Sequence, residues 1–243
     1  LVTGVQTCAL PICPIRRHLS DILIDPNRLS PESPYTDLVD EKCKVLIGPY
    51  YSAIRQTIDG IKKNRRRTGA LRRILVDLGG GYWTDILLKL IASLRSWGTP
   101  DLEIDVIAQA DGTDRDRLER YCETAGIRFN RYLQTYHELL MKADLAIASA
   151  GNAVWERCCV GLPSLVFETK DWHNAVVKTL ESDDLAIAMG ALQQFNEDKL
   201  KQALDDLTPA QLLKMSQAGM TFIDGQGAQR IVTAMSEFVT AKV

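Results

Sequence analysis

The sequence predicts an α/β protein built on a mostly parallel sheet with helices on both faces, and three observations carry that reading. From about residue 70 onward, short apolar runs alternate with stretches of helical length, the pattern of βαβ units. The apolar runs are bounded by Gly, Pro, Asn and Asp, as buried strands are. The composition, 46% hydrophobic and 25% charged, is that of an ordinary globular chain.

Taken in order, DILID at 21–25 and CKVLI at 43–47 read as short buried strands. Between them Pro26-Asn27 and the Ser-Pro pairs at 30–34 mark a loop. Gly48-Pro49 ends the second strand, and a helix is expected over 50–58. The basic run KKNRRRTG at 62–69 reads as a solvated hinge, with a phosphate-steering or nucleic-acid patch as the alternative. Strands are then expected at 74–78, 103–108, 127–131, 145–148, 164–167 and 185–188. Helices are expected between them at 84–97, 115–125, 136–142, 153–160 and 174–181. Three more follow at 198–207, 210–217 and 228–240, with Thr208 before Pro209 as a cap and first-turn pair.

The bulk properties exclude several classes. A formal net charge of −2 does not suit a general nucleic-acid binder. No apolar run approaches the roughly 18–20 residues that span a bilayer. The six cysteines lack CxxC or Cys/His spacing, so no metal is expected. Adjacent Cys158 and Cys159 on a helix point in different directions, which favours buried thiols and a reducing cytoplasm. The segment VTGVQTCALPI at 2–12 looks like a translated sequencing adapter, with a genuine strand or a degenerate signal peptide as the alternative. On the adapter reading, the natural chain is expected to continue upstream of about Pro14.

In an open α/β sheet ligands bind beyond the carboxyl ends of the strands, and three such ends carry unusual residues. The first is Gly79-Gly80-Gly81, where glycine lets the backbone approach a ligand closely. A tight turn without a ligand is the alternative, and neither GxGxxG nor GxxxxGK[ST] is present. The second is the small-residue turn Ser149-Ala150-Gly151-Asn152-Ala153 before a helix, suited to phosphate. There Asn152 is a candidate cap. Glu156 is either a surface charge or an acceptor for two ribose hydroxyls. Trp155 is read as core. The third is ETKDWHN at 168–174, where His173 is read as an exposed loop histidine in preference to a proton donor. No catalytic acid or base can be chosen from spacing, and no cofactor is expected.

At these residues the chain resembles a known family. The stretch ASAGNAVWERCCVGLPSL at 148–165 is similar to the GAGGSTTWERCCLGLPSL hallmark of the hydrolases that remove UDP from a 2,4-diacetamido-2,4,6-trideoxy-altropyranose in pseudaminic acid biosynthesis. These are relatives of the GT-B nucleotide-sugar transferases, among them the N-acetylglucosaminyltransferase that forms lipid II. LIGPYYSAIR at 46–55, ILVDLGG at 74–80 and IDGQGAQR at 223–230 resemble further motifs of the same family. The resemblance implies a GT-B-like fold. Residues 14–58 would be the end of an N-terminal Rossmann-like domain, 59–70 a linker, 71–225 a UDP-binding domain and 226–243 a closing helix. It also implies a UDP-sugar partner, with no nucleic acid and no membrane. Gly79, Gly80, Ala150, Gly151, Asn152 and Ala153 would lie at the pyrophosphate and Glu156 at the ribose. His173 and Asn174 stand where the family often has Asn-Gln near the sugar. The family's glycine-rich segment with its catalytic His has no counterpart here. Ala150-Gly151-Asn152 replaces its Gly-Gly-Ser turn, and Gly81-Tyr82-Trp83 replaces its Ser-Asp-Pro.

Overall fold

A computed structural model describes residues 8–9, 16–27, 35–61, 68–98, 100–130 and 136–240. The basic run at 62–67 and most of the 1–13 segment lie outside these residues.

Two parallel sheets are present among the described residues. The smaller holds β1 (Cys8–Ala9), β2 (Ile22–Asp25) and β3 (Lys44–Ile47), in that order. Cys8 pairs with Ile22, and Ile22 with Lys44. The larger is six-stranded, in the order β6-β5-β4-β7-β8-β9. Its strands are β4 (Arg73–Asp77), β5 (Glu103–Ile107), β6 (Arg128–Asn130), β7 (Leu145–Ser149), β8 (Ser164–Glu168) and β9 (Ile187–Ala191). From β4 the chain moves outward to β5 and β6. It then returns to place β7 on the other side of β4 and continues to β8 and β9. The strand order therefore reverses between β4 and β7, which is where an open parallel sheet leaves a crevice.

Helices cover both faces of this sheet because its strands are apolar on both sides. Ile74 and Val76 of β4, with Leu145 and Ile147 of β7, pack against α2 (Thr84–Trp97), α3 (Gly112–Thr124) and α7 (Glu197–Asp205). Leu75, Ala146 and Ala148 point the other way, toward α4 (Tyr136–Lys142), α5 (Ala153–Cys159) and α6 (His173–Ser182). Trp155 lies in that second core, stacked on Phe222 at the end of α8 (Pro209–Phe222). Thr208 caps α8 in a full capping box with Gln211, as its position before Pro209 implied. Cys158 and Cys159 are both buried.

Several boundaries differ from the sequence reading. The helix expected over 50–58 is a 3-10 turn at Pro49–Tyr51, an irregular segment through Arg55, and then α1 (Gln56–Ile61). The strand expected at 185–188 starts two residues later. Asp184 takes a left-handed φ of 55°, and the N–H groups of Leu185 and Ala186 both donate to the Leu180 carbonyl, so the chain is still closing α6 there. α3 begins three residues early, at Gly112, and α8 runs on to Phe222.

The last helix, α9 (Gly227–Thr240), returns to the smaller sheet rather than the larger. Its Ile231 and Ala234 complete a core with Ile22, Ile24 and Leu46. Gly227 makes this return possible: a Cβ there would sit 2.1 Å from the Ser52 carbonyl oxygen. Arg230 lies 3.4 Å over the Tyr50 ring, donates to the Tyr50 carbonyl and pairs with Asp224. The motifs at 46–55 and 223–230, far apart in sequence, thus meet in one contact.

Candidate functional site

The crevice between β4 and β7 gathers most of the residues singled out from sequence. Asp77 ends β4, and its Oδ1 accepts the Gly79 N–H, which turns the chain sharply. Gly79 holds φ at 73°, and a Cβ there would meet the Ser149 Oγ at 2.7 Å. Only glycine allows the β4 loop to lie against the β7 turn at this point. Gly80 is exposed beside Gln109, which follows β5.

Across the crevice, Ala150 is fully buried and donates its N–H to the Phe167 carbonyl, so that amide is engaged by β8. Gly151 neighbours both the Ser149 Oγ and the His173 ring: a Cβ at residue 151 would be 3.7 Å from the one and 3.8 Å from His173 Nε2. Asn152 stands at the N-cap of α5, but its side chain does not cap. Its Oδ1 instead accepts from Asn27 Nδ2 at 2.5 Å, and Asn27 Oδ1 accepts from Trp155 Nε1 at 2.9 Å. The turn after β2 therefore grips the start of α5 from the smaller sheet.

Glu156 is buried and does not reach into open solvent. Its Oε1 pairs with Arg55 Nε at 3.0 Å, and its Oε2 has no partner among the described residues. Burial raises the carboxyl above its ordinary range, against the pull of Arg55 and then of Arg157. Glu156 and Arg55 line a cavity of about 240 Å³ between the two sheets, with Tyr51, Ser52 and Asn152. The irregular stretch at 52–55, expected as helix, is what delivers Arg55 to Glu156.

Three charged or polar groups beneath the turn complete the site. Arg157 is fully buried, and its Nη2 donates to the Ser149 carbonyl at 2.6 Å. Its Nε and Nη1 have no hydrogen-bond partner among the described residues, and its charge acts on the Glu156 carboxyl nearby. Tyr136 donates to Asp77 Oδ2 at 3.0 Å, and burial, then the Asp77 carboxylate, push its phenol far above the ordinary range. The Arg55 guanidinium lies 5.0 Å from the centre of the same ring.

His173 is buried at 7% exposure in the first turn of α6, not exposed on a loop. Burial, then the Lys170 cation, lower its pKa. Asn174, one residue on, is exposed, and no contact joins it to the crevice among the described residues. The sequence reading did not single out Arg55, Asn27, Tyr136 or Arg157. The last lies inside the WERCC motif, but nothing in its spacing shows that its guanidinium turns inward. No group of three or more metal-ligating side chains converges among the described residues. No helix described is long and apolar enough to cross a membrane.

No protein-family model matches the chain. It is 20% identical over 211 residues to the spore coat polysaccharide biosynthesis protein SpsG of Bacillus subtilis, covering 84% of this chain and 62% of that protein. The chain thus spans less than two thirds of that relative's length. Among solved structures it is similar to MurG of Acinetobacter baumannii, with a TM-score of 0.63 and 14% identity over 89% of this chain and 66% of that one. It is also similar to S. aureus MnaA in complex with UDP, with a TM-score of 0.62 and 16% identity over 91% of this chain and 61% of that one. At such identities the likeness is one of architecture: the chain has a GT-B-like α/β fold with a parallel sheet.

Proposed function

We propose that this chain is the nucleotide-holding part of a GT-B-type enzyme that acts on UDP-sugars. The observation that carries the reading is the convergence of Gly79, Ser149, Gly151 and His173 at the strand-order reversal. Backbone approaches closely from two loops there, and the buried Arg157 cation lies beneath. A diphosphate fits this environment, since positive charge in a partly water-excluded site attracts an anion more strongly than in bulk water. Glu156 Oε2, an acceptor without a donor, suits a ribose hydroxyl. The similar proteins support the reading, since one is named for polysaccharide biosynthesis and another was solved with UDP.

The reaction class that follows is transfer of the sugar. The bond from the anomeric carbon to the UDP oxygen breaks, UDP leaves with the electron pair, and an acceptor hydroxyl forms the new bond and gives up its proton. A second reading, favoured by the resemblance of residues 148–165 to the UDP-sugar hydrolases, makes water the acceptor. The free diacetamido-trideoxy sugar and UDP are then the products. In either case the residues described here bind and orient the diphosphate and stabilise the charge that develops on it.

Calorimetric titration with UDP tests the shared part, and Glu156→Ala is expected to weaken binding about tenfold, the loss of one hydrogen bond to a charged group. Absence of UDP binding would overturn the reading. Incubation with the UDP-linked diacetamido-trideoxy sugar separates the two chemistries. UDP release in water alone supports hydrolysis, and release only when a sugar acceptor is added supports transfer.

A further inference from the structure

His173 is held in one orientation and one tautomer by the loop that precedes α6. The Thr169 backbone N–H donates to His173 Nδ1 at 3.2 Å, and the Thr169 Oγ1 lies 3.4 Å from the same nitrogen. A backbone N–H can only donate, so Nδ1 must accept and carries no proton. The ring hydrogen is therefore on Nε2. That nitrogen has no partner among the described residues and lies on the side of the ring that faces Gly151. A Cβ at residue 151 would stand 3.8 Å from it, an ordinary van der Waals contact. Ser149 Oγ lies 3.7 Å from the same point.

We propose that His173 is a substrate-contacting residue: its Nε2–H donates to a phosphate oxygen of the nucleoside diphosphate, alongside the hydroxyl of Ser149. This inference rests on the UDP-sugar reading and assigns a specific donor within it. The geometry gives the ring a definite role. A neutral imidazole with Nδ1 already engaged supplies one directed hydrogen bond and no net charge. Taking a second proton would set Nδ1–H against the Thr169 N–H, donor facing donor. The nearby Lys170 cation opposes that proton as well. The ring thus serves as a fixed donor to the departing diphosphate rather than as a source of a proton. Its position one residue before the exposed Asn174 separates the two residues of the pair: only the first is turned toward the crevice.

The test is nitrogen-detected NMR on the chain labelled with 15N-histidine, whose three histidines are His18, His137 and His173. His173→Gln assigns the third ring. In the free protein His173 is expected to show a protonated Nε2 and a bare Nδ1. UDP should shift Nε2, and uridine, which lacks phosphate, should not. His173→Asn places its amide near Nδ1 and is expected to weaken UDP binding about tenfold or more, the loss of one hydrogen bond to a charged group. His173→Gln extends its amide toward Nε2 and should stay within about threefold of wild type, well under one hydrogen bond. A proton on Nδ1 in the free protein overturns the proposal, and so does wild-type UDP affinity in His173→Asn. UDP that perturbs the Gly79 and Gly151 amides but leaves His173 Nε2 unmoved overturns this proposal alone. UDP that perturbs no resonance overturns the UDP-sugar reading along with it. The tautomer measurement needs only the wild-type chain, so it decides even if a variant fails to fold.

Discussion

The two sheets of this protein are both parallel, yet they are stabilised in different ways. The six-stranded sheet is sandwiched between two cores, each built mostly from elements next to it in sequence. The three-stranded sheet has one small core, and two of its five buried members, Ile231 and Ala234, come from a helix about 185 residues further along the chain. The larger unit is therefore expected to stand by itself. The smaller one depends on closure by α9, and on the side chains of Asn27 and Arg55 that tie it to α5.

The largest expected effect comes from removing the residue that serves both regions. Trp155 is core to the larger unit and also donates to Asn27. Trp155→Ala should cost roughly 3–5 kcal/mol in chemical denaturation, the range for deleting a buried aromatic. A cost under about 1 kcal/mol, far below that range, would show that the joint carries little load.

Next is Ile231→Ala on α9. As a substitution at the rim of a small core, it should cost about 2 kcal/mol, the low end for such deletions. Hydrogen exchange should show the loss confined to β2 and β3, with β7 still protected. Equal loss of protection in β7 would mean that the two regions unfold together and would break the comparison.

A smaller effect is expected from Asn27→Ala. It removes two hydrogen bonds at a partly exposed joint, about 1 kcal/mol in all given solvent competition. It also releases the Asn152 side chain to cap α5, which offsets part of the loss. Loosening of β2 and β3 without change in β7 would sharpen the contrast.

The smallest effect is in pH dependence, where two groups act with opposite signs. The His173 pKa is lowered on folding, so the unfolded chain binds more protons just below its ordinary value of 6.5. Stability contributed there rises with pH up to that value. The Glu156 carboxyl is raised above its ordinary 4.5, so in the window just above 4.5 the folded chain binds more protons and stability falls as pH rises. Denaturation midpoints across this range should steepen upward in Glu156→Gln and lose their rise in His173→Gln. Unchanged profiles in both variants would show that neither burial matters to folding.

Much of the larger unit was legible in the sequence because its determinants are local. Continuous apolar strands, helices of matching length and the Thr208-Pro209 start need only neighbouring residues to be read. The three strand-end segments were legible for the same reason, since a break of small or polar residues after an apolar run marks a loop at the sheet edge. The roles of individual residues within them were not. His173 reads as a polar residue in a polar loop, and only the folding of α6 under Gly151 turns it into a buried ring. Asn152 reads as a cap, and only the Asn27 amide, 125 positions away, draws it elsewhere.

By itself the sequence determined the α/β class, the alternation of strands and helices, and the three segments in which a ligand contact could lie. These follow from side-chain periodicity and backbone preference, which act over a few residues. Tertiary structure alone decided that β7 sits beside β4 and that α9 closes the smaller sheet. It also decided that Arg55 meets Glu156 and that His173 presents Nε2 to the turn at Gly151. Each of these depends on burial and hydrogen bonding between residues far apart in the chain, and no local pattern encodes such a pairing.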